Sequence, residues 1–309
     1  MKASVIIPTH NPDLEKLRMC LTSLPDCEII LVENPEDTSR VSELLLSLSG
    51  KRIIHLSSEI GANKARNAGA RAASGDVLIF VDDDIVVPKD FVDTHVAAHL
   101  IYKPGIVGGP VELEYEKSRP NWMTSDFEGY LARIDFAHTR GMAYEVFKAW
   151  ALHVPIVSAN MSVRKEIFND LGGFDESQGY SGRALLAAND ELTLVDEAAK
   201  RCVPGIIMIN NPVRHLISQD RCTVDYLIRR AYGQGVADFR SMCLLKPSMT
   251  KLEAFEYLTI HCADLFHVGS GDAYLSYEKL DRPSRMFATA TFTRIRISYI
   301  QGIMSQIHG

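Results

Sequence analysis

The apolar run Val77-Leu78-Ile79-Phe80-Val81 ends on three consecutive acids, Asp82-Asp83-Asp84. Apolar residues without polar alternation suit a strand buried on both faces, the habit of parallel sheets. Three adjoining carboxylates at its end repel one another unless a cation sits among them. In open α/β sheets, ligands bind beyond the carboxyl ends of the strands. A hard cation there suits a phosphorylated ligand, because Mg2+ takes about one or two carboxylates and completes its shell with water and phosphate oxygens. The plainer alternative is a solvated acidic loop.

The segments around this run set the fold class. Ser4–Pro8, Glu28–Val32 and Arg52–Leu56 read as strands. Asp13–Leu24, Thr38–Leu48 and Ala62–Ala73 read as helices, with Thr38 or Ser39 able to cap the second. This alternation predicts an α/β fold, a mostly parallel sheet flanked by helices. Right-handed crossovers then gather Thr9-His10-Asn11, Glu33-Asn34 and the acid triplet on one rim. Downstream, residues 105–120 read as a strand and a loop, and Pro155–Val163 as strand-like. Lys165–Leu171 is a short helix stopped by Gly172-Gly173. Asn189 can cap a helix to Arg201, Gly205–Asn210 is a strand, and Thr223–Arg240 a helix. Two or three helices are expected from Lys251, around Gly269-Ser270-Gly271.

Composition removes several classes. The 309 residues suit one large α/β domain or two smaller ones. A net charge of −6 gives no footprint for nucleic acid. No apolar run is long enough to span a bilayer, and the N-terminus lacks a basic-then-apolar signal pattern. The expected compartment is therefore the cytoplasm. Six cysteines are scattered without a CxxC pair or a Cys/His cluster. That pattern fits reduced thiols rather than a disulfide framework or a zinc site.

Four strings carry a family likeness: SVIIPTHN at 4–11, EIILVEN at 28–34, GANKARNAGARAASGDVLIFVDDDIVVP at 61–88 and SANMSVRKEIFNDLGGFDE at 158–176. In this order and spacing, the chain over residues 1–240 resembles the family 2 glycosyltransferases of the GT-A fold. The resemblance implies a GT-A domain over 1–240, with a nucleotide-sugar half at 1–104 and an acceptor-side half at 105–240. Residues 241–309 would form a helical C-terminal extension. It also implies sugar transfer from a nucleotide diphosphate to an acceptor hydroxyl, with inversion and with Mg2+ or Mn2+.

The same resemblance assigns residues. Pro8, Thr9 and Asn11 lie against the nucleotide. Glu33 or Asn34 accepts from the N3–H of uracil or thymine, which points to a UDP- or dTDP-sugar, although the family usually carries Asp there. Lys64 and Arg66 stand near the diphosphate, beside the free N–H groups of a helix N-terminus. Asn67 orients an acid of the cluster. Asp82 contacts the ribose or the metal shell, Asp84 binds the metal, and Asp83 is the middle residue that points away or tunes the field. His215 is a further metal or diphosphate contact.

The base is less direct. Counting back from His215 places the family's acid pair on Asp190-Glu191. Anchoring on the terminal Glu-Leu places it on Ala188-Asn189 and leaves no carboxylate for the role. In a third reading Asn189 caps the helix, and Asp190 and Glu191 only favour its dipole. A helix N-terminus should lower the pKa of an acid held there.

Two other functions stay in view. A non-catalytic relative that binds nucleotide-sugar or glycan would account for the irregular Asn189-Asp190-Glu191. A sugar-1-phosphate nucleotidyltransferase would carry a Gly-rich, basic loop after the first strand, where this chain has Thr9-His10-Asn11-Pro12. Acceptors left open are a glycan, a lipid-linked intermediate, a protein or a small metabolite. Arg282, Arg285, Arg294 and Arg296 lie among apolar residues without an acid. They could meet the inner face of a membrane or a polyanionic acceptor, or form the solvated edge of a packed helix. Homo-oligomerisation is also open.

Overall fold

The alternation of the first hundred residues builds strands β1 (Ala3–His10), β2 (Glu28–Asn34), β3 (Ile53–Ser57) and β4 (Val77–Phe80). Helices α1 (Leu14–Ser23), α2 (Ser39–Ser47) and α3 (Ala62–Ala72) connect them. The computed structural model describes residues 1–34, 39–135, 144–147, 156–178, 189–208, 210–265 and 281–307. Thr38, Trp150 and the loop at Gly269-Ser270-Gly271 lie outside them. Asp13 caps α1, its carboxylate accepting from the backbone of Glu15 and Lys16.

After β4 come β5 (Ile85–Val86), α4 (Phe91–Tyr102), β6 (Ile106–Gly108), β7 (Val111–Tyr115), α5 (Ser125–Glu128) and β8 (Tyr144–Phe147). Then follow β9 (Met161–Arg164), α6 (Lys165–Asp170), α7 (Leu192–Lys200), β10 (Gly205–Met208) and β11 (Val213–Ile217). Three long helices close the described chain: α8 (Val224–Leu245), α9 (Lys251–Leu265) and α10 (Arg282–Ile307).

Eight strands form the main sheet in the order β3-β2-β1-β4-β9-β6-β10-β8. The first four are parallel, so β1, β2 and β4 end on one edge. Strand β9 enters antiparallel between β4 and β6, which makes the sheet mixed. Alternate residues Ile6, Ile30, Val32, Leu78, Phe80, Met161 and Val163 share one core with Phe168, Phe174, Leu194 and Val195. The residues between them, such as Val5, Ile29, Leu31 and Ile79, are equally buried. Both faces are thus covered, as the unbroken apolar runs require. A second sheet has the order β5-β11-β7.

The chain forms two compact units. One comprises Met1–Glu112, Gly141–Gly182 and Asp190–Leu216; the other comprises Leu113–Arg140, Arg183–Asn189 and Ile217–Gly309. The first holds the eight-stranded sheet. In the second, α8 and α10 pack so closely that a Cβ on Gly235 would lie 2.1 Å from the Tyr299 carbonyl oxygen, and one on Gly302 2.2 Å from that of Tyr232.

Three local expectations change. Pro155–Val163 is not one strand: Ser158–Asn160 is a 3-10 turn, and β9 starts at Met161. The Asn160 amide draws the backbone aside by donating to Pro110 O (2.9 Å) and Asn211 O (3.3 Å). Asn189 does not cap α7. It takes a left-handed φ of 65° and donates to Asp238 Oδ1 (2.7 Å), and Glu191 precedes the first helical residue. The residues after the acid triplet add a short strand, β5, where sequence gave no separate element.

Candidate active site

The second sheet carries the histidine to the acids. Strand β5 follows the triplet directly and pairs antiparallel with β11, setting His215 opposite Ile85. Leu216 N donates to Asp84 O (2.9 Å), and the His215 Nε2 and Asp84 Oδ2 atoms stand 3.2 Å apart. Both residues are buried. The carboxylate oxygen suits Mg2+ or Mn2+, whereas an imidazole nitrogen suits the softer transition ions and so favours Mn2+ of the two. Among the described residues, no three His, Cys, Asp or Glu side chains cluster to hold an ion by themselves. The pair would give such an ion two ligands.

Helix α3 ties this edge to the second acid pair. Arg66 is 3% exposed. Its Nη2 donates to Asp82 Oδ1 (2.9 Å), and its Nη1 to Asp190 Oδ2 (2.7 Å) and Asn63 Oδ1 (3.1 Å). Its buried Nε has no hydrogen-bond partner. Burial alone would lower the guanidinium pKa, but the charges of Asp190 and Asp82 outweigh it and hold the pKa above the ordinary arginine value. The terminal nitrogens thus serve carboxylates, whereas the sequence pointed Arg66 toward a diphosphate.

Asn63 donates to Asp175 O (2.9 Å) and Asp190 O (2.8 Å). Asn67 does not reach the triplet. Its amide donates to Phe174 O (2.9 Å) and Glu176 Oε1 (3.0 Å) and accepts from Phe174 N (3.0 Å). The turn it holds needs Gly172 and Gly173, whose φ angles are 88° and 75°.

Glu191 lies beside the Arg66 bridge, close enough to feel its charge. Its Oε2 is 3.4 Å from the Ser158 N–H. Burial of its carboxyl, reinforced by the charge of Asp190, pushes its pKa up to about 7 despite Arg66 nearby. The expected lowering at a helix N-terminus is therefore reversed here, because desolvation outweighs the dipole.

The residues expected to face the nucleotide have the following partners. Pro8, Thr9 and His10 end β1, and Asn11 follows with a left-handed φ of 49°. Thr9 Oγ1 donates to Asp83 Oδ2 (2.5 Å), so Asp83 turns toward β1 rather than away. Glu33 is buried with Oε2 2.9 Å from His55 Nε2. Asn34 is engaged at both ends of its amide: Nδ2 donates to Ser58 Oγ (2.8 Å) and Glu59 O (2.8 Å), and Oδ1 accepts from Gly61 N (3.1 Å). Lys64 pairs with Glu59 at 2.5 Å. Residues not singled out from sequence are Asn63, Ser158 and Asn160. Their only signal is a short polar side chain at a helix start or a strand entry.

A family model described as glycosyl transferase family 2 matches residues 4–172, more than half of the chain. The chain belongs to glycosyl transferase family 2. This family 2 glycosyltransferase is similar to a glucosyl-dolichyl phosphate glucuronosyltransferase of Haloferax volcanii, 24% identical over 262 residues, covering 80% of this chain and 79% of the relative. It is 36% identical over 107 residues to an uncharacterized glycosyltransferase of Bacillus subtilis, covering 32% of this chain and 27% of that protein. Among solved structures, it resembles a mannosyltransferase from Pyrobaculum calidifontis in complex with GDP-Man and Mn2+. That likeness has a TM-score of 0.57 at 16% identity and covers 99% of this chain and 86% of that one. It shows the GT-A fold. Among the described residues, no helix is long and apolar enough to cross a membrane.

Proposed function

We propose that this glycosyltransferase moves a sugar from a nucleotide-diphosphate sugar to an acceptor hydroxyl with inversion, in a metal-dependent reaction. The observation that carries the reading is the Arg66 bridge, which joins Asp82 on the nucleotide edge to Asp190, the neighbour of Glu191. Glu191 is the base. A carboxylate poised near neutrality accepts a proton more effectively than one committed to an ion pair. Asp190 is instead a positioning residue, held with Asp82 by Arg66. The displacement is single: the acceptor oxygen bonds to the anomeric carbon, and the carbon–oxygen bond to the diphosphate breaks. The electron pair leaves with the diphosphate, and the acceptor proton passes to Glu191.

Asp84 and His215, with Asp82 nearby, would hold the divalent ion. When bound, such an ion offsets the charge on the departing diphosphate. Glu33 is the candidate reader of a uracil or thymine N3–H through Oε1, since its Oε2 faces His55 and both ends of the Asn34 amide are engaged. Thr9 fixes Asp83 beside the nucleotide edge. A lipid-linked sugar is the favoured acceptor class, since the name of the Haloferax relative gives glucosyl-dolichyl phosphate as substrate. The test is nucleoside diphosphate release from a donor panel headed by a UDP-glucuronosyl donor, with and without Mn2+. Metal-dependent release that Asp84→Ala abolishes is the expected result. Full turnover by that variant would sink the assignment.

A further inference from the structure

Helix α10 is apolar on two opposite sides. Its inner side buries Ala288, Thr291, Ile295, Tyr299, Gly302 and Ile303. Met286, Ala290, Thr293, Ile297, Ile300 and Met304 recur at steps of three and four, so they form one stripe on the other side. Met286 is 66% exposed, Ile297 52% and Met304 43%. A solvated helix normally turns polar residues to that position. Here the cations flank the stripe instead. Arg282 and Arg296 are exposed along one border and Arg294 along the other, and no acid occurs after Asp281. Among the described residues, Asp225 lies 4.0 Å from Arg294 and is itself exposed. Arg296 lies over the Phe292 ring. Near the start of the helix, Trp122 packs on Phe287, which is 47% exposed.

We propose that this face of α10 lies in the plane of an anionic lipid surface. An apolar stripe with flanking arginines and an aromatic pair at one end is the pattern of an interfacial helix. Its long basic side chains can reach headgroups while the stripe enters the acyl boundary. Charge selects this occupant. A second copy docked on the same face would set arginines against arginines, whereas anionic headgroups neutralise them.

Flotation with sugar-free vesicles tests this without donor or acceptor, so failure here leaves the transfer reading untouched. The protein is expected to float with phosphatidylcholine vesicles containing phosphatidylglycerol and not with phosphatidylcholine alone. Binding should weaken with added salt. The double variant Arg294→Gln/Arg296→Gln should partition about thirtyfold less, from roughly fivefold per surface cation. Ile297→Asp should also lose binding while keeping the wild-type circular dichroism spectrum. Absence of flotation with anionic vesicles, or equal flotation of wild type and both variants, overturns the proposal. So does equal binding to neutral vesicles. Self-association that Ile297→Asp abolishes, without vesicle binding, would assign the face to a second copy instead.

Discussion

At Glu191 the environment, rather than the residue type, sets the chemistry. Its carboxyl is protonated in the folded protein below about pH 7 and ionised above it. The raised pKa also fixes a stability trend. The folded state holds this proton more tightly than the unfolded chain, so the contribution is complete below the ordinary glutamate value and is lost as pH rises through about 7. Glu191→Gln should therefore gain up to about 3 kcal/mol over wild type at pH 8 and nothing at pH 4, read from denaturant midpoints. Arg66 carries the opposite risk. Removing it leaves Asp82 and Asp190 facing each other beside a buried gap. Arg66→Met should lose about 2–4 kcal/mol, below the value for a fully buried pair because the Asp82 side chain is 36% exposed. Equal denaturation midpoints for wild type and Arg66→Met would contradict this. The residue types were readable from sequence, but their partners were not. Arg66 and Asp190 lie far apart in the chain, and no local pattern reports that a helix cation is neutralised by two acids.

Elements decide which side chains meet. Strands β1 to β4 and helices α1 to α3 were legible because apolar runs and polar caps repeat there at regular spacing. Strand β5 was not, since two residues, Ile85 and Val86, carry no period. Yet its pairing with β11 is what brings His215 to Asp84. Asn189 misled for a physical reason: a residue type that caps helices also tolerates left-handed backbone, and here its amide found Asp238. The α8–α10 contact yields a prediction with a distinct sign. Helix propensity alone would make Gly302→Ala stabilising by about 1 kcal/mol. The new Cβ would instead lie 2.2 Å from the Tyr232 carbonyl oxygen, which cannot yield without moving a helix. Gly302→Ala should lower the thermal midpoint by several degrees, about 1–3 kcal/mol of overpacking. A raised midpoint would show that the helices separate freely.

Across the whole molecule, the sheet carries the residues proposed to face the nucleotide at its strand ends, and α3 links them to the segment before α7. Sequence reached the α/β class, the family strings and the rim of strand ends, because these are encoded in short contiguous runs. It did not reach the division of labour proposed for the two acids near residue 190, which rests on burial and on Arg66. The proposed division gives the acceptor proton to Glu191 and leaves Asp190 as the positioning residue. It is tested most directly by the pH dependence of kcat/KM for nucleoside diphosphate release in wild type, Glu191→Gln and Asp190→Asn. With Glu191 as base, wild-type activity should rise with pH through about 7. Glu191→Gln should fall by roughly a hundredfold or more and lose that limb, while Asp190→Asn keeps it at reduced rate. An unchanged profile and rate in Glu191→Gln, with the limb lost in Asp190→Asn, would contradict the account and give the base to Asp190.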